Sequence, residues 1–255
     1  METGLEIRQA ALHANAACSC ITLDREMLVK MLDEKAGSKG FGASLVASHP
    51  YLFANSPVFI ALETITAMKA VVEAVEAAVA LPLFSATALQ WAPAIAAADF
   101  GPVGVLMGYD FHLTESGPLL IEVNTNAGGA FLNAILAKAQ RACCFEEDLT
   151  IDPVRPTQDF DLEIVAVFES EWKRQGRRGR PAVIAIVDDE PEKQHLYPEL
   201  LLAKAALEEH GIAASIVDPK ALVVSDAGLS VEGVHIDLVY NRLVDFGLDE
   251  PDHRT

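Results

Sequence analysis

The sequence predicts a mixed α/β protein, in which a largely helical N-terminal region ends in a β-hairpin and a parallel α/β unit follows. Two observations favour this fold. Residues 57–79 are mainly apolar at helical spacing and carry Lys69, Glu73 and Glu76 as a polar stripe. Residues 182–187 form a continuous apolar run that precedes a helical pattern and a second apolar run, the order typical of a βαβ unit.

The individual elements follow from apolar periodicity and from turn residues. The predicted helices cover residues 23–35, 57–79, 86–98, 131–141, 161–175 and 199–211. The predicted strands cover residues 103–113, 119–124, 182–187, 213–217 and 237–242, and residues 222–224 and 231–235 form a further hairpin. A basic run at residues 173–180 separates two predicted domains, a helical region with a hairpin at residues 1–175 and the parallel unit at residues 181–255.

The composition indicates a soluble globular protein without nucleic-acid or membrane partners. The chain has 255 residues, of which 51% are hydrophobic, and a net charge of −18, which opposes binding to polyanions. The basic run lacks interleaved aromatic residues, so we interpret it as a solvated linker. Charged residues interrupt the longest apolar stretch, which argues against a membrane span. The start of the chain lacks a basic signal segment and the four cysteines lack metal-ligand spacing, which together predict a cytoplasmic location.

The most informative pattern is a hairpin that carries three oxygen-bearing side chains. With a three-residue loop, Thr114 pairs with Pro118 and Asp110 falls opposite Glu122. Side chains alternate along a strand, so Glu122 and Asn124 then share a face with Asp110. The sequence therefore predicts that three hard oxygen donors converge.

Two interpretations of this trio differ in chemistry. The three residues could form the solvated face of an antiparallel ribbon, or they could bind Mg²⁺, which takes one or two protein carboxylates and shares phosphate oxygens with a nucleotide. Glu122 and Asn124 directly follow the apolar run 119–121, where burial is expected. Polar residues in such a place favour the metal site.

A family resemblance rests on two segments, Tyr109-Asp110-Phe111 and Glu122-Val123-Asn124-Thr125-Asn126-Ala127-Gly128. Together they resemble the metal-binding hairpin of the ATP-grasp ligases, in which an Asp and a Glu-x-Asn hold Mg²⁺ against the nucleotide phosphates. A Rossmann-like unit then ends in Tyr240-Asn241-Arg242. This order is similar to that of circularly permuted ATP-grasp enzymes of the eukaryotic glutathione synthetase type, and the resemblance covers about residues 100–250.

The resemblance implies an ATP-dependent carboxylate–amine ligase that forms an acyl phosphate and uses Mg²⁺, with ATP as a substrate. It implies that the metal ligands are Asp110, Glu122 and Asn124. It implies a substrate border at Thr125, Asn126, Gly128 and Gly129, and a catalytic Arg242 that anchors a substrate carboxylate. The partners are then a small-molecule carboxylate and a small-molecule amine.

Two departures from the family pattern leave alternatives open. Gly108 stands where the ligases of the D-alanine ligase kind have an arginine. After its Tyr-x-Arg segment, a permuted ligase continues with phosphate-binding lysines, a glycine-rich lid and an adenine pocket, which residues 243–255 do not contain. Either a further C-terminal segment or a second chain completes the site, or the protein is a non-catalytic binding module or a truncated relic without turnover.

Several other motifs have competing interpretations. A dinucleotide-dependent oxidoreductase is disfavoured because residues 187–192 offer carboxylates in place of a glycine-rich loop. Arg242 could form an ion pair with Asp245 or Asp237 instead of binding a substrate. The backbone amides that begin the helix after residues 126–129 could point at an anion. We interpret residues 37–42 as a connector, and His112 and His195 as ordinary histidines.

Overall fold

The computed structural model describes residues 4–114, 116–140 and 160–253 and shows a mixed α/β protein with a parallel three-stranded sheet. The α-helices are α1 (Gly4–Ala17), α2 (Arg25–Ala36), α3 (Phe41–Ser48), α4 (Leu62–Val79), α5 (Pro82–Ala88), α6 (Ala130–Lys138), α7 (Phe160–Arg174) and α8 (Tyr197–Glu209). The strands are β1 (Gly108–Thr114), β2 (Gly117–Asn124), β3 (Val183–Val187), β4 (Ala213–Val217), β5 (Val223–Ser225), β6 (Gly228–Val231), β7 (Val234–His235) and β8 (Leu238–Asn241).

The parallel sheet has the order β4-β3-β8, and β3–α8–β4 is the predicted βαβ unit. The central strand β3 is buried on both faces, with Ile184, Ala185 and Ile186 at 0% exposure. A continuous apolar run without alternation is the pattern that such a strand requires. The carboxyl ends of the three strands meet at one edge, where open α/β sheets place their ligands.

One hydrophobic core joins the helical region to the sheet. Leu28 of α2, Phe131 of α6 and Phe168 of α7 belong to the same buried cluster as Ile184 of β3 and Leu202 of α8. The core therefore draws residues from both sides of the predicted boundary between residues 175 and 181. In the described residues, this core does not include β1 or β2, but it includes Val105 and Leu106 before the hairpin and Phe131 of α6 after the loop, so it fixes both flanks of the hairpin relative to the sheet.

Ile184 and Ile186 of β3 face the helical core, and Ala185 and Val187 lie on the other face of the parallel sheet. A three-stranded antiparallel sheet, β5-β6-β7, packs on that second face. The sequence predicts a single hairpin here, with strands at residues 222–224 and 231–235. That prediction is wrong because Gly228–Val231 forms a strand of its own and β7 returns against it. Val231 packs with Ala185 and Val187 of β3.

Of residues 37–42, which are predicted as a connector, residues 37–40 form the tight turn between α2 and α3, and residues 41 and 42 begin α3. Asp33 accepts hydrogen bonds from the Gly40 amide at 2.9 Å and the Gly42 amide at 2.7 Å. These two hydrogen bonds hold the pKa of Asp33 below its ordinary value. The turn amides therefore bind the protein's own carboxylate.

The predicted helix at residues 86–98 is wrong. Pro82 occupies the first turn of α5, which ends at Ala88, and a separate 3₁₀ turn follows at Ala94–Ala97. Pro82 has the fixed φ that suits a helix start, and Pro93 lacks the N–H that a continuing helix would need. Among the described residues, no single helix is long and apolar enough to cross a membrane, and α4 with α5 meets that test only as a pair bent by 70°.

Candidate functional site

The β1–β2 hairpin brings the three predicted metal ligands together. Asp110 lies opposite Glu122, and Gly108 lies opposite Asn124, so the three polar side chains project from one face. Asn124 Nδ2 donates to Asp110 Oδ2 and to Glu122 Oε1, each over 3.1 Å. The predicted convergence of these three residues, which we call the oxygen trio, is confirmed as geometry.

The pairing of Asp110 with Glu122 results from a connection and a strand irregularity that differ from the predicted three-residue loop. Thr114 pairs with Gly117 rather than with Pro118, so the connection is one residue shorter than predicted; Glu115 lies outside the described residues. A β-bulge at Ile121 adds one residue to β2 and restores the predicted pairing of the two carboxylates.

One face of the hairpin packs against α4, and the face with the oxygen trio is open. The Tyr109 hydroxyl donates to Glu76 of α4, which marks the covered face. The expectation that residues 119–121 are buried is wrong, since Leu119 is 56% and Ile121 is 64% exposed. The reason is that this sheet has two strands, so a single helix can cover only one of its faces. The oxygen trio is consequently accessible to a solute.

The loop at residues 125–129 is held by Arg242, which directly follows β8. Arg242 Nη1 donates to Asn126 O at 3.1 Å, Asn126 Oδ1 at 2.6 Å and Ala127 O at 2.8 Å. The guanidinium carbon lies 5.4 Å from the centroid of the Tyr240 ring, and the residue is only 9% exposed. Within the described residues, Nη2 and Nε of Arg242 do not donate to any acceptor. A ligand carboxylate could therefore bind to these two nitrogen atoms, whereas Nη1 is already occupied.

Asp237 and Asp245, the possible ion-pair partners of Arg242, accept hydrogen bonds from other groups. Asp237 accepts from the amides of Ala182 and Val183, and Asp245 accepts from two amides of its own turn and from His253. In the described part of the chain, neither forms an ion pair with Arg242. Burial raises the pKa of Asp188 above its ordinary value, and the positive charge of Arg242 opposes that rise.

The N-terminus of α6 is occupied by the carboxylate of Glu199. Glu199 Oε1 accepts from the Phe131 amide and Oε2 from the Leu132 amide, both at 3.0 Å. The anion expected at this helix start is therefore part of the protein itself. Glu199 is 3% exposed, and burial raises its pKa while the two amides and Arg242 oppose the rise. Sequence reasoning missed this contact because Glu199 is distant in sequence from the helix that it caps.

Gly128 has a packing role in the same loop. A Cβ atom at this position would lie 2.8 Å from Leu196 Cδ1 and 3.0 Å from Arg242 Nη2. Gly129 has φ +88° and caps α6. The two glycines assigned to a substrate border thus let the loop approach the sheet edge closely, while Thr125 and Asn126 face a cavity.

That cavity has a volume of about 270 Å³ and lies beside β8, at the outer edge of the parallel sheet. Its apolar walls include Leu106, Phe168 and Phe246, and its polar lining includes Thr125 and Asn126. In the described residues, the Thr125 hydroxyl has no hydrogen-bond partner. No sequence signal indicated this cavity, because segments far apart in the chain form its walls.

A buried histidine bridges two carboxylates at the carboxyl edge of the sheet. His253 Nε2 lies 3.0 Å from Asp189 Oδ1, and Nδ1 lies 2.8 Å from Asp245 Oδ2. The His253 side chain is 3% exposed. Only the doubly protonated ring can donate to both carboxylates, and these contacts raise the pKa of His253. Hydrogen bonds from two backbone amides and His253 lower the pKa of Asp245 to about 2.

We expect this bridge to make stability depend on pH. The pKa of His253 is higher in the folded protein than in the unfolded chain, so its stabilisation is complete below about pH 6.5 and is lost as the pH rises through the folded-state pKa. His253→Gln should therefore lower the melting temperature at pH 6, and the difference from the parent should shrink by pH 9. Differential scanning calorimetry across this range measures the effect. A difference that does not change with pH would contradict the ionic bridge.

His195 lies beside a second histidine. The His195 ring lies 4.7 Å from the ring of His49, which sequence reasoning did not anticipate. Across residues 4–114, 116–140 and 160–253, no group of three or more His, Cys, Asp or Glu side chains could hold a metal ion. The oxygen trio, with two carboxylates and an amide, is not a group of that kind. Cys143 and Cys144 lie outside the described residues.

The sequence was also compared with known proteins. No protein-family model and no curated protein matches the sequence. The assignment of a function therefore depends on the residues and contacts described above.

Proposed function

We propose that the chain carries the metal-binding and substrate-binding part of an ATP-dependent carboxylate–amine ligase of the circularly permuted ATP-grasp type. The observation that carries this proposal is the convergence of Asp110, Glu122 and Asn124 on an uncovered hairpin face. ATP is the proposed phosphoryl donor, which favours a cytoplasmic location. The Rossmann-like identity of the β3–α8–β4 unit belongs to the same proposal.

The donor set fits Mg²⁺. Two carboxylates and one amide are hard oxygen ligands, and the open face leaves room for waters and phosphate oxygens, which Mg²⁺ retains. The Asn124 N–H group now donates to both carboxylates, in the way that a cation would bridge them. With a cation bound, rotation of the amide would turn its oxygen towards the metal. Bound Mg²⁺ would neutralise charge on the transferred phosphate.

The substrate side of the proposed site is the loop at residues 125–129. Thr125 follows the metal ligand Asn124 directly and lines the cavity beside β8. Arg242 fixes the loop through Nη1 and offers Nη2 and Nε to a substrate carboxylate. An oxygen of the substrate carboxylate would attack the γ-phosphorus of ATP, which breaks the bond to the β,γ-bridging oxygen, releases ADP and gives an acyl phosphate. The amine would then attack the acyl carbon, which breaks the carbon–oxygen bond to phosphate and yields an amide, inorganic phosphate and a proton.

The proposed site requires cations that the oxygen trio lacks. In the described residues, the hydrogen-bond partners of the Asp110 and Glu122 carboxylates do not include a lysine or an arginine. Phosphoryl transfer needs positive charge against the phosphates. We therefore propose that a further segment or a second chain supplies the phosphate-binding lysines and the lid. The same observation favours the second candidate, a non-catalytic binding module.

Paramagnetic Mn²⁺, used in place of Mg²⁺, tests the location of the metal site. Substoichiometric Mn²⁺ should broaden the backbone amide resonances of residues 109–111 and 122–125 before any others, because relaxation falls steeply with distance from the ion. Excess Mg²⁺ should restore them. Preferential broadening around the acidic residues 188–190 would contradict the proposed metal site and, with it, most of the ligase proposal.

A further inference from the structure

A second feature concerns residues 77–100, which we call the apolar arm. Every residue of the arm is exposed except Ala88, Ala92 and Pro93, which are half-buried. Its exposed large apolar side chains are Val79, Leu81, Leu83, Phe84, Leu89, Trp91, Ile95 and Phe100. The arm includes α5, in which Ser85 and Thr87 are polar and no residue is charged, and a helix with so little polar surface is normally buried.

The arm is also almost free of charge. Residues 77–98 contain no Asp, Glu, Lys or Arg, although the whole chain has a net charge of −18. Such a concentration of exposed apolar side chains is unusual on a monomeric protein and marks an interaction surface. A basic partner would be expected to meet an acidic face, which the arm does not offer.

The exposed area is large enough for a stable interface. Leu83 is 77% exposed and Trp91 is 80% exposed. With the six other large side chains, the arm exposes on the order of 1,000 Å² of side-chain surface, against about 800 Å² per partner in a standard protein interface.

We propose that the apolar arm is the interface of a homodimer. Two chains of charge −18 repel each other, and this repulsion is smallest where the facing surfaces lack charged residues, as the arm does. Homodimer interfaces are more apolar than those of transient complexes and are depleted of charged residues. A two-fold axis would place the arm of one protomer against the same arm of its partner and bury both. This inference is independent of the proposed ligase activity.

A membrane is the main competing occupant. The α4–α5 pair has the composition of a span, but it is bent by 70°. The arm has no basic residue between positions 77 and 98 to contact lipid headgroups, and the net charge of −18 disfavours anionic lipid. These observations favour the second copy over the membrane.

Sedimentation velocity of the full chain tests the proposal. Interfaces of this size associate with dissociation constants from roughly the µM to the pM range. At protein concentrations of about 1–100 µM, the parent should therefore sediment as a dimer, with twice the 27.4 kDa mass of the chain. The double variant Leu83→Glu/Trp91→Glu places charge on the arm and should weaken dimerisation at least about 30-fold. The matched control is Val224→Glu, at a position 73% exposed on β5, which should dimerise like the parent.

Three outcomes would overturn the proposal. The first is a parent that remains monomeric at the highest concentration, and the second is a double variant that dimerises as tightly as the parent. The third is a monomer that floats with phosphatidylcholine vesicles and loses this binding in the double variant, which would assign the arm to a membrane. Circular dichroism should show equal helix content in all variants, because the altered side chains are exposed.

Discussion

Replacing Glu122 by glutamine is expected to weaken Mn²⁺ binding by about 100-fold or more, since loss of even an outer-shell partner of a metal ligand costs about 10–100-fold. The glutamine keeps the size of the side chain and can still accept the hydrogen bond from Asn124. It removes one of the two anions that face the cation. Counting free Mn²⁺ by electron paramagnetic resonance during a titration measures the affinity directly.

Asp188→Asn is the matched control for this substitution. It also replaces a carboxylate by its amide, but Asp188 follows β3, accepts a hydrogen bond from the Asp189 amide and, among the described residues, does not bond to the oxygen trio. Its Mn²⁺ affinity should equal that of the parent. If Glu122→Gln bound Mn²⁺ as tightly as the parent, the oxygen trio would not be a metal site.

Replacing Arg242 by methionine is expected to lower the free energy of unfolding by about 2–4 kcal/mol, because hydrogen bonds from a charged donor are lost and their part-buried acceptors are left unsatisfied. Methionine keeps an apolar stem against Tyr240 but cannot donate to Asn126 and Ala127. The buried Glu199 then loses the positive charge that opposes its pKa rise. Urea-induced unfolding gives the free energy.

Arg180→Met serves as the comparison, because Arg180, like Arg242, donates to a backbone carbonyl but lies at the surface. Its side chain is 45% exposed, its Nε lies 3.2 Å from Glu169, and it donates to His210 O. Exposed pairs of this kind contribute about 0–1 kcal/mol. Equal and small losses in both variants would show that the loop does not depend on Arg242.

The sequence predicted the pairing of Asp110 with Glu122 but not the way in which it forms. The residue that lies opposite Asp110 depends on how many residues separate the two strands. The connection is one residue shorter than predicted and the bulge at Ile121 adds one residue, so Asp110 still lies opposite Glu122. Nothing in the residue type of Ile121 marks a bulge. The exposure of Leu119 was missed for a related reason, since burial depends on which elements cover a face.

Most other features that the sequence did not predict are contacts between segments far apart in the chain. The apolar run at residues 182–187 predicts a buried parallel strand because its pattern is local. The contact of Glu199 with α6 and the bridge of His253 to Asp189 join residues more than sixty positions apart. Single-sequence patterns carry no information on such pairs, so the residues that fix the candidate site could not be predicted.

Opposite charges hold the two ends of the 125–129 loop. Arg242 donates hydrogen bonds to the carbonyl oxygens of Asn126 and Ala127, and Glu199 accepts hydrogen bonds from the amides at the start of α6. The peptide dipoles of the loop are thus oriented before any ligand arrives. Preorganisation of this kind keeps the reorganisation energy small and avoids the entropy loss of ordering a segment on binding. Free and ligand-bound forms should therefore share one loop conformation, and association should be limited by diffusion and desolvation rather than by a folding step.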